Sequence, residues 1–197
     1  MAMSDLLLTL GEGRLKEVAF QVKVPGKVLT YWYLDELSIE RIQLFKSALV
    51  RWLLAQAADK LKKPQSEIKV RTAFPKDDFN FATQQWITPA PSAANTWTEY
   101  FSLPAIPDQK FVLFYGLANL SPDPGIIAIK FERGAETLGE FHFQDMYLRD
   151  IPAILFERPV RYFQGEPIKV SFYSTKTQSE ELVLFALVAE PKEFKIS

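Results

Sequence analysis

The chain contains no cysteine in 197 residues and a single histidine, His142. The first absence excludes disulfides, thiol nucleophiles and every thiolate metal site. The second leaves too few nitrogen donors for a typical zinc site, and any Ser-His-Asp triad would depend on His142 alone. No nucleophile-elbow motif is present. A strong charge of either sign is also lacking. The formal net charge is -1, with 13 Lys+Arg against 10 Asp+Glu in residues 1–94 and 10 against 14 in residues 95–197. The halves thus stand at +3 and -4, and no nucleic-acid partner is expected from so mild a field. Apolar runs never approach the ~20 residues needed to cross a bilayer, so no membrane partner is expected either.

Other short signals come to nothing. Met1 to Leu10 has no basic n-region and only the short run Leu6-Leu7-Leu8, and is not read as a secretory signal. Gly11-Glu12-Gly13 lacks the third glycine of a phosphate loop and precedes the first clear strand, so it reads as a terminal loop. Asn119-Leu120-Ser121 matches a glycosylation sequon, but Pro122 follows it and no secretion signal supports it.

What the chain does have is core material: 48% of its residues are hydrophobic and 14% aromatic. The pattern suggests an α+β chain in three parts. Residues 1–74 are expected to form an N-terminal β-β-α-β unit. Val18, Phe20, Val22 and Val24 alternate with Ala19, Gln21 and Lys23, as in a half-buried strand. Val28 to Tyr33 forms a second strand. The Pro25-Gly26 turn between them favours a type II geometry, whose twist suits a tight hairpin poorly, so a loose pairing is expected. A helix from Ser38 to Lys62 carries Ile42, Phe45, Leu49, Trp52 and Leu53 on one face, and Pro64 ends it. Ile68 to Thr72 is a third strand.

Residues 75–96 lack a regular period and read as a proline-rich arm or linker. Residues 97–197 carry seven short strand signals: 97–103, 111–117, 126–131, 140–143, 154–156, 168–173 and 182–189. Such a series predicts an antiparallel β-sandwich of jelly-roll type. The runs Phe111-Val112-Leu113-Phe114 and Leu182-Val183-Leu184-Phe185 are apolar on both faces, which places them centrally with cover on both sides.

The search for chemistry yields little. His142 sits between Phe141 and Phe143, so in a strand it points away from them, beside Glu140 and Gln144; a solvated strand residue is the expected role. Paired acids about 5–9 Å apart can hydrolyse glycosides without any sequence motif. The visible acidic clusters are Asp77-Asp78, Asp145 with Asp150, and Glu180-Glu181, each in an expected loop where solvated acids are ordinary. Asp145 and Asp150 also lack the spacing of an EF-hand calcium site. No catalytic, cofactor-binding or metal-ligating residue is therefore assigned. Arg158 and Arg161 flank Pro159 and suit either an anion or a solvated strand edge. Trp32 and Trp52 are expected in the core. Phe79, Phe81, Trp86 and Trp97 lie in or beside the irregular segment and are the candidate partner-binding residues, since exposed aromatics are common interface anchors.

Three features of residues 97–197 resemble the capsid decoration, or cement, proteins of tailed bacteriophages. Tyr100-Phe101-Ser102-Leu103-Pro104-Ala105-Ile106-Pro107 leads into the apolar strand from Phe111 to Gly116. Short strands meet proline at their ends, as in Phe156-Glu157-Arg158-Pro159 and Gln164-Gly165-Glu166-Pro167. The last apolar strand closes at Glu190-Pro191. The likeness is one of pattern, without a diagnostic motif. It implies a non-enzymatic homotrimer on the virion surface, bound to the major capsid protein and clamping the shell against packaged DNA. Off the virion the protein would be cytoplasmic. The alternatives are a carbohydrate-binding β-sandwich using exposed aromatics and a carboxylate hydrolase on the same scaffold.

Overall fold

A computed structural model describes residues 19–24 and 27–192, with side chains from Tyr31 onward. Gly11-Glu12-Gly13, Val18 and the Pro25-Gly26 turn lie outside the described residues. In chain order the elements are β1 (Ala19–Val24), β2 (Lys27–Tyr33), α1 (Ile39–Leu61), β3 (Ile68–Thr72) and a short α2 (Pro75–Phe79). Then follow β4 (Thr96–Leu103), β5 (Phe111–Asn119), β6 (Ile126–Arg133), β7 (Glu136–His142), β8 (Ala153–Tyr162), β9 (Ile168–Ser174) and β10 (Leu182–Pro191).

The strands form two antiparallel sheets, one in the order β1-β2-β8-β5-β10-β3 and one in the order β4-β9-β6-β7. Together with α1 they make three layers. Between the sheets lies one core, holding Phe114, Ile154, Phe156, Leu184 and Val188 from the larger sheet and Ile129, Phe131, Phe141, Val170 and Phe172 from the smaller. Phe141 and Phe156 stack across this gap with ring centroids 3.9 Å apart. A second core lies on the other face of the larger sheet, where Phe45, Leu49, Leu53 and Ala57 of α1 cover Trp32, Phe111, Leu113, Leu155 and Leu187. The fold is β-sandwich-like with one main helix on its outer face.

This arrangement explains the doubly apolar runs. Alternate residues of a strand point to opposite faces. Val112 and Phe114 enter the inter-sheet core, whereas Phe111 and Leu113 meet the helix. β5 and β10 are neighbours in the larger sheet and have strands on both sides, as expected. Burying each such side chain stabilises the fold by about 1.5–3 kcal/mol, before the entropy of ordering it is set against that gain.

Ser38 caps the start of α1. The Ser38 hydroxyl accepts a hydrogen bond from the Arg41 N–H at 3.3 Å, and the helix ends with Lys62 in the left-handed region at φ 54°. Ile42 and Trp52, on the flanks of the stripe, are only half-buried.

Three expectations are corrected. First, the described part of residues 1–74 is not a unit apart: β1, β2 and β3 belong to the same sheet as β5, β8 and β10. β2 pairs with β8, and β3 pairs with the outer side of β10, whose backbone groups would otherwise lack partners. Second, the β1–β2 pairing is tight and runs in register to Val24↔Lys27. Third, β8 continues through Pro159. The β5–β8 register jumps from Phe114↔Val160 to Gly116↔Leu155, so Phe156 to Pro159 bulge opposite Tyr115. A proline in a bulge has no ladder hydrogen bond to withhold.

Candidate binding surface

The segment 75–96 is built into the sandwich, which overturns its reading as an arm. It connects β3, at one edge of the larger sheet, to β4, at one edge of the smaller, and so crosses the open side between them. Its apolar side chains fill that side. Phe79 is 2% exposed and packs on Trp86, Phe101 and Phe114 at 5.5, 5.1 and 5.4 Å between centroids. Trp86 is 7% exposed, and half-buried Phe81 meets it edge-on at 5.4 Å. Backbone bonds secure the segment: Thr88 N–H donates to the Glu180 carbonyl at 2.9 Å, and Leu182 N–H to the Trp86 carbonyl at 3.0 Å. Phe79 and Trp86 are thus core residues, out of a partner's reach, and Phe81 is mostly so.

Trp97 differs. It is 38% exposed on the outer face of the smaller sheet. Strand register builds this face in rows. Trp97, Tyr173, Ala128 and His142 align across β4, β9, β6 and β7, and Glu99, Ser171, Lys130 and Glu140 form the next row. Between the two, the row Thr98, Phe172, Ile129 and Phe141 turns inward, and its three apolar members join the core. Tyr173 meets Trp97 edge-on at 5.7 Å, and the Lys130 ammonium lies 5.0 Å from the Trp97 ring centroid. His142 Nε2 lies 2.7 Å from a Glu140 oxygen, and the Ser102 hydroxyl donates to Glu99 at 2.7 Å. Lys130 also pairs with Glu132 at 3.5 Å. The result is an outward face with an aromatic pair, flanked by carboxylates, an ammonium, a hydroxyl and an imidazole. His142 occupies the expected solvent-facing position.

Asp77 accepts from the Gln84 amide at 2.9 Å, while neighbouring Asp78 is buried in an ion cluster. The Asp78 carboxylate faces Arg71 at 2.7 Å and Lys110 at 3.2 Å, and Glu190 joins them through Arg71 at 2.9 Å and Lys69 at 3.1 Å. Burial pushes the Asp78 carboxyl up, but hydrogen bonds from Arg71 and the Phe74 N–H, with the nearby cations, hold it below its ordinary value. Glu190 is depressed against the same opposing effect of burial, through hydrogen bonds from Arg71 and Lys69.

Glu180 is 2% exposed. Its carboxylate accepts from the Asn119 amide at 2.7 Å and from the Gly125 and Ile126 N–H groups at 2.8 and 3.4 Å. Asn119 also donates to the Tyr147 hydroxyl at 3.0 Å. Burial chiefly raises the Tyr147 phenol, with the Glu180 charge adding to it and the Asn119 bond opposing it. Asn119 is therefore a core amide, inaccessible to glycosylation. Asp78 and Glu180 were both expected as solvated loop acids. Each is instead a buried carboxylate: Asp78 is satisfied by nearby Arg71 and Phe74 with Lys110, and Glu180 by donors more than fifty residues away, which no local pattern announces.

Trp32 is buried beside Phe45 and Trp52 is half-buried at the edge of the helix layer. Arg161 lies over both Trp52 and Phe163, at 5.7 and 5.5 Å. Among the described residues no group of three or more His, Cys, Asp or Glu side chains converges as a metal site would require. No helix among them is long and apolar enough to cross a membrane.

No protein family matches the chain, and a search of curated proteins returns no relative. Among solved structures, the VP2 subviral particle of infectious bursal disease virus is similar at 14% identity and TM-score 0.35, over 62% of this chain and 32% of that one. The C-terminal CBM6 of LamC, a marine laminarinase from Zobellia galactanivorans, is similar at 12% identity and TM-score 0.30, over 62% of this chain and 99% of that one. A ruminal GH26 endo-β-1,4-mannanase follows at 14% identity and TM-score 0.28, over 64% and 26%. The chain spans about a third of the VP2 chain that it matches. These are distant, fold-level resemblances.

Proposed function

We propose that this protein is a non-enzymatic binding protein, and specifically a decoration protein of a viral capsid. It would seat the outer face of its four-stranded sheet on the major capsid protein and stabilise the shell. The observation that carries the binding role is exposed Trp97 with half-buried Tyr173 beside it, held with Lys130 on a sheet whose other side is locked into the aromatic core. Such a face is preorganised, so little entropy is lost when a partner covers it. The viral role draws on the sequence resemblance over residues 97–197, and jelly-roll topology and location on the virion belong to the same reading. Buried Asp78 and Glu180 fit a protein without acid–base chemistry, because their oxygens already accept from structural donors. Immunogold labelling of tailed-phage particles purified from the source tests the role. Label on the capsid shell is expected; label absent from the particles overturns it.

One observation favours a second reading, carbohydrate binding. His142 lies in the row of the aromatic pair, and Glu99 and Glu140 lie in the next outward row, as hydrogen-bonding groups that a sugar would need. Against it, the Lys130 ammonium sits over the Trp97 ring and would have to move aside before a sugar stacked on that side. Absence of any signal on a glycan array removes this reading.

A further inference from the structure

The two ends of the sandwich differ in a complementary way. β5 and β8 run antiparallel, with Ala118↔Ala153 near one end and Val112↔Tyr162 near the other. At the first end three aliphatic side chains stand in solvent: Leu148 is 85% exposed, Leu120 57% and Ile151 50%. They lie close together, because each is one residue away from a group in a shared set of contacts. Asn119 N–H donates to the Pro152 carbonyl at 3.1 Å, and the Asn119 side chain donates to the Tyr147 hydroxyl at 3.0 Å. Asp145 and Asp150 flank this tip, both exposed and neither in an ion pair among the described residues. Arg149, the cation between them, is taken up by Glu36 and lies 4.0 Å from the Tyr33 ring centroid. The tip is therefore aliphatic and acidic.

The opposite end is aromatic and basic. Phe163, just past β8, packs on Phe111 at the start of β5. Arg161 spans Phe163 and Trp52, and Lys60 of α1 lies 5.8 Å from the Phe163 ring centroid. Neither Arg161 nor Lys60 has a carboxylate within ion-pair distance among the described residues, although Asp108 lies on an adjoining turn. Among the described residues most other cations on the strands are paired, including Lys69, Arg71, Lys130, Arg133 and Lys169.

We infer that copies of this chain associate head to tail, with the Leu120–Leu148–Ile151 tip of one seated on the Trp52–Phe163 end of the next and Asp145 and Asp150 meeting Lys60 and Arg161. The two ends sit at opposite termini of the same strands, so they cannot satisfy one another within a single molecule. A second copy supplies what each end lacks: aliphatic surface for the aromatic rings, and carboxylates for the two cations. Because the two surfaces differ, the contact is heterologous and repeats until the assembly closes or grows on. It uses none of the Trp97 face, so it stands or falls independently of the proposed function.

The test is sedimentation velocity across a concentration series of the whole chain, at low and high salt. The weight-average mass is expected to climb above the 22.6 kDa monomer with concentration and to fall back as salt screens the charge pairs. Two surface variants refine it. Leu148→Asp removes the tip and Arg161→Glu removes the receiving end, with Ile151→Lys as the substitute if Leu148→Asp fails to fold. Each alone is expected to remain monomeric. An equimolar mixture is expected to form dimers and nothing larger, because one intact tip meets one intact receiving end. A wild-type chain that stays monomeric throughout overturns the inference. So does a wild-type assembly that persists in either variant, or a mixture that fails to dimerise.

Discussion

The guanidinium of Arg71 holds Asp78 with both arms, at 2.7 and 2.8 Å, while its Nε donates to Glu190 at 2.9 Å. One side chain thus joins β3, the start of the crossing segment and β10. Replacing Arg71 with Ala leaves Asp78 buried with Lys110 and the Phe74 N–H as its remaining partners. Breaking a buried pair costs about 3–5 kcal/mol, and the remaining donors place this variant near 3. Urea unfolding monitored by fluorescence measures the loss.

The same cluster sets an acid limit. Asp78 and Glu190 both titrate below their ordinary values of 3.8 and 4.5 in the folded chain. Their stabilisation is complete above the unfolded values and is lost as pH falls through the folded ones. Melting temperature is expected to drop on the acid side of pH ~4. In an Asp78→Asn variant that acid-side decline is expected to be shallower, from a lower starting stability. Thermal melts between neutral and strongly acidic pH decide it.

Glu180→Gln keeps the shape and reverses the hydrogen bonding of half the group. An amide nitrogen must then face the Asn119 amide or the Gly125 N–H, both of them donors. A buried donor left without an acceptor costs about 1–3 kcal/mol. The variant is expected to fold with a lowered melting temperature, and amide hydrogen exchange should rise first at Gly125 and Ile126.

Gly116 sits at the register shift between β5 and β8, where an added Cβ would lie 2.4 Å from the Ile154 carbonyl oxygen and 2.9 Å from a Phe185 ring carbon. Backbone cannot yield as a flexible side chain does. Gly116→Ala is therefore expected to destabilise by about 1–3 kcal/mol or more, as overpacking does. A denaturation midpoint equal to wild type would contradict the close approach of the two strands.

Much of this fold was legible in the residues. The alternation in 97–197 marked all seven strands there, and Ser38, the stripe through Phe45, Leu49 and Leu53, and Pro64 marked the helix. The doubly apolar Phe111–Phe114 run already implied layers on both sides. What stayed hidden was relational. Nothing local in Ile68 to Thr72 says that its partner is β10, more than a hundred residues on. Phe79, Phe81 and Trp86 carry no period because they plug an opening between sheets instead of lining a helix or strand. Aromatic content drew attention to that segment, but periodicity could not separate a plug from an exposed anchor. Only Trp97, inside a strand whose inward row was readable, had an assignable face.

That contrast separates the four tryptophan- and phenylalanine-based candidates experimentally. Trp86→Ala empties a core site and is expected to cost about 3–5 kcal/mol. Trp97→Ala forfeits a cation–π contact worth about 0.5–1 kcal/mol and the edge-on Tyr173 contact, worth about 0.5–1.5 kcal/mol, and so costs less than the core truncation.

The measurement closest to the central claim is co-sedimentation of wild type and Trp97→Ala with tailed-phage particles purified from the source, with thermal melts run in parallel. Wild type is expected to pellet with the particles, while the variant, melting within a few degrees of wild type, stays in the supernatant. A wild-type chain that never pellets, or a variant that pellets equally well, would contradict the assignment of the Trp97 face as the working surface.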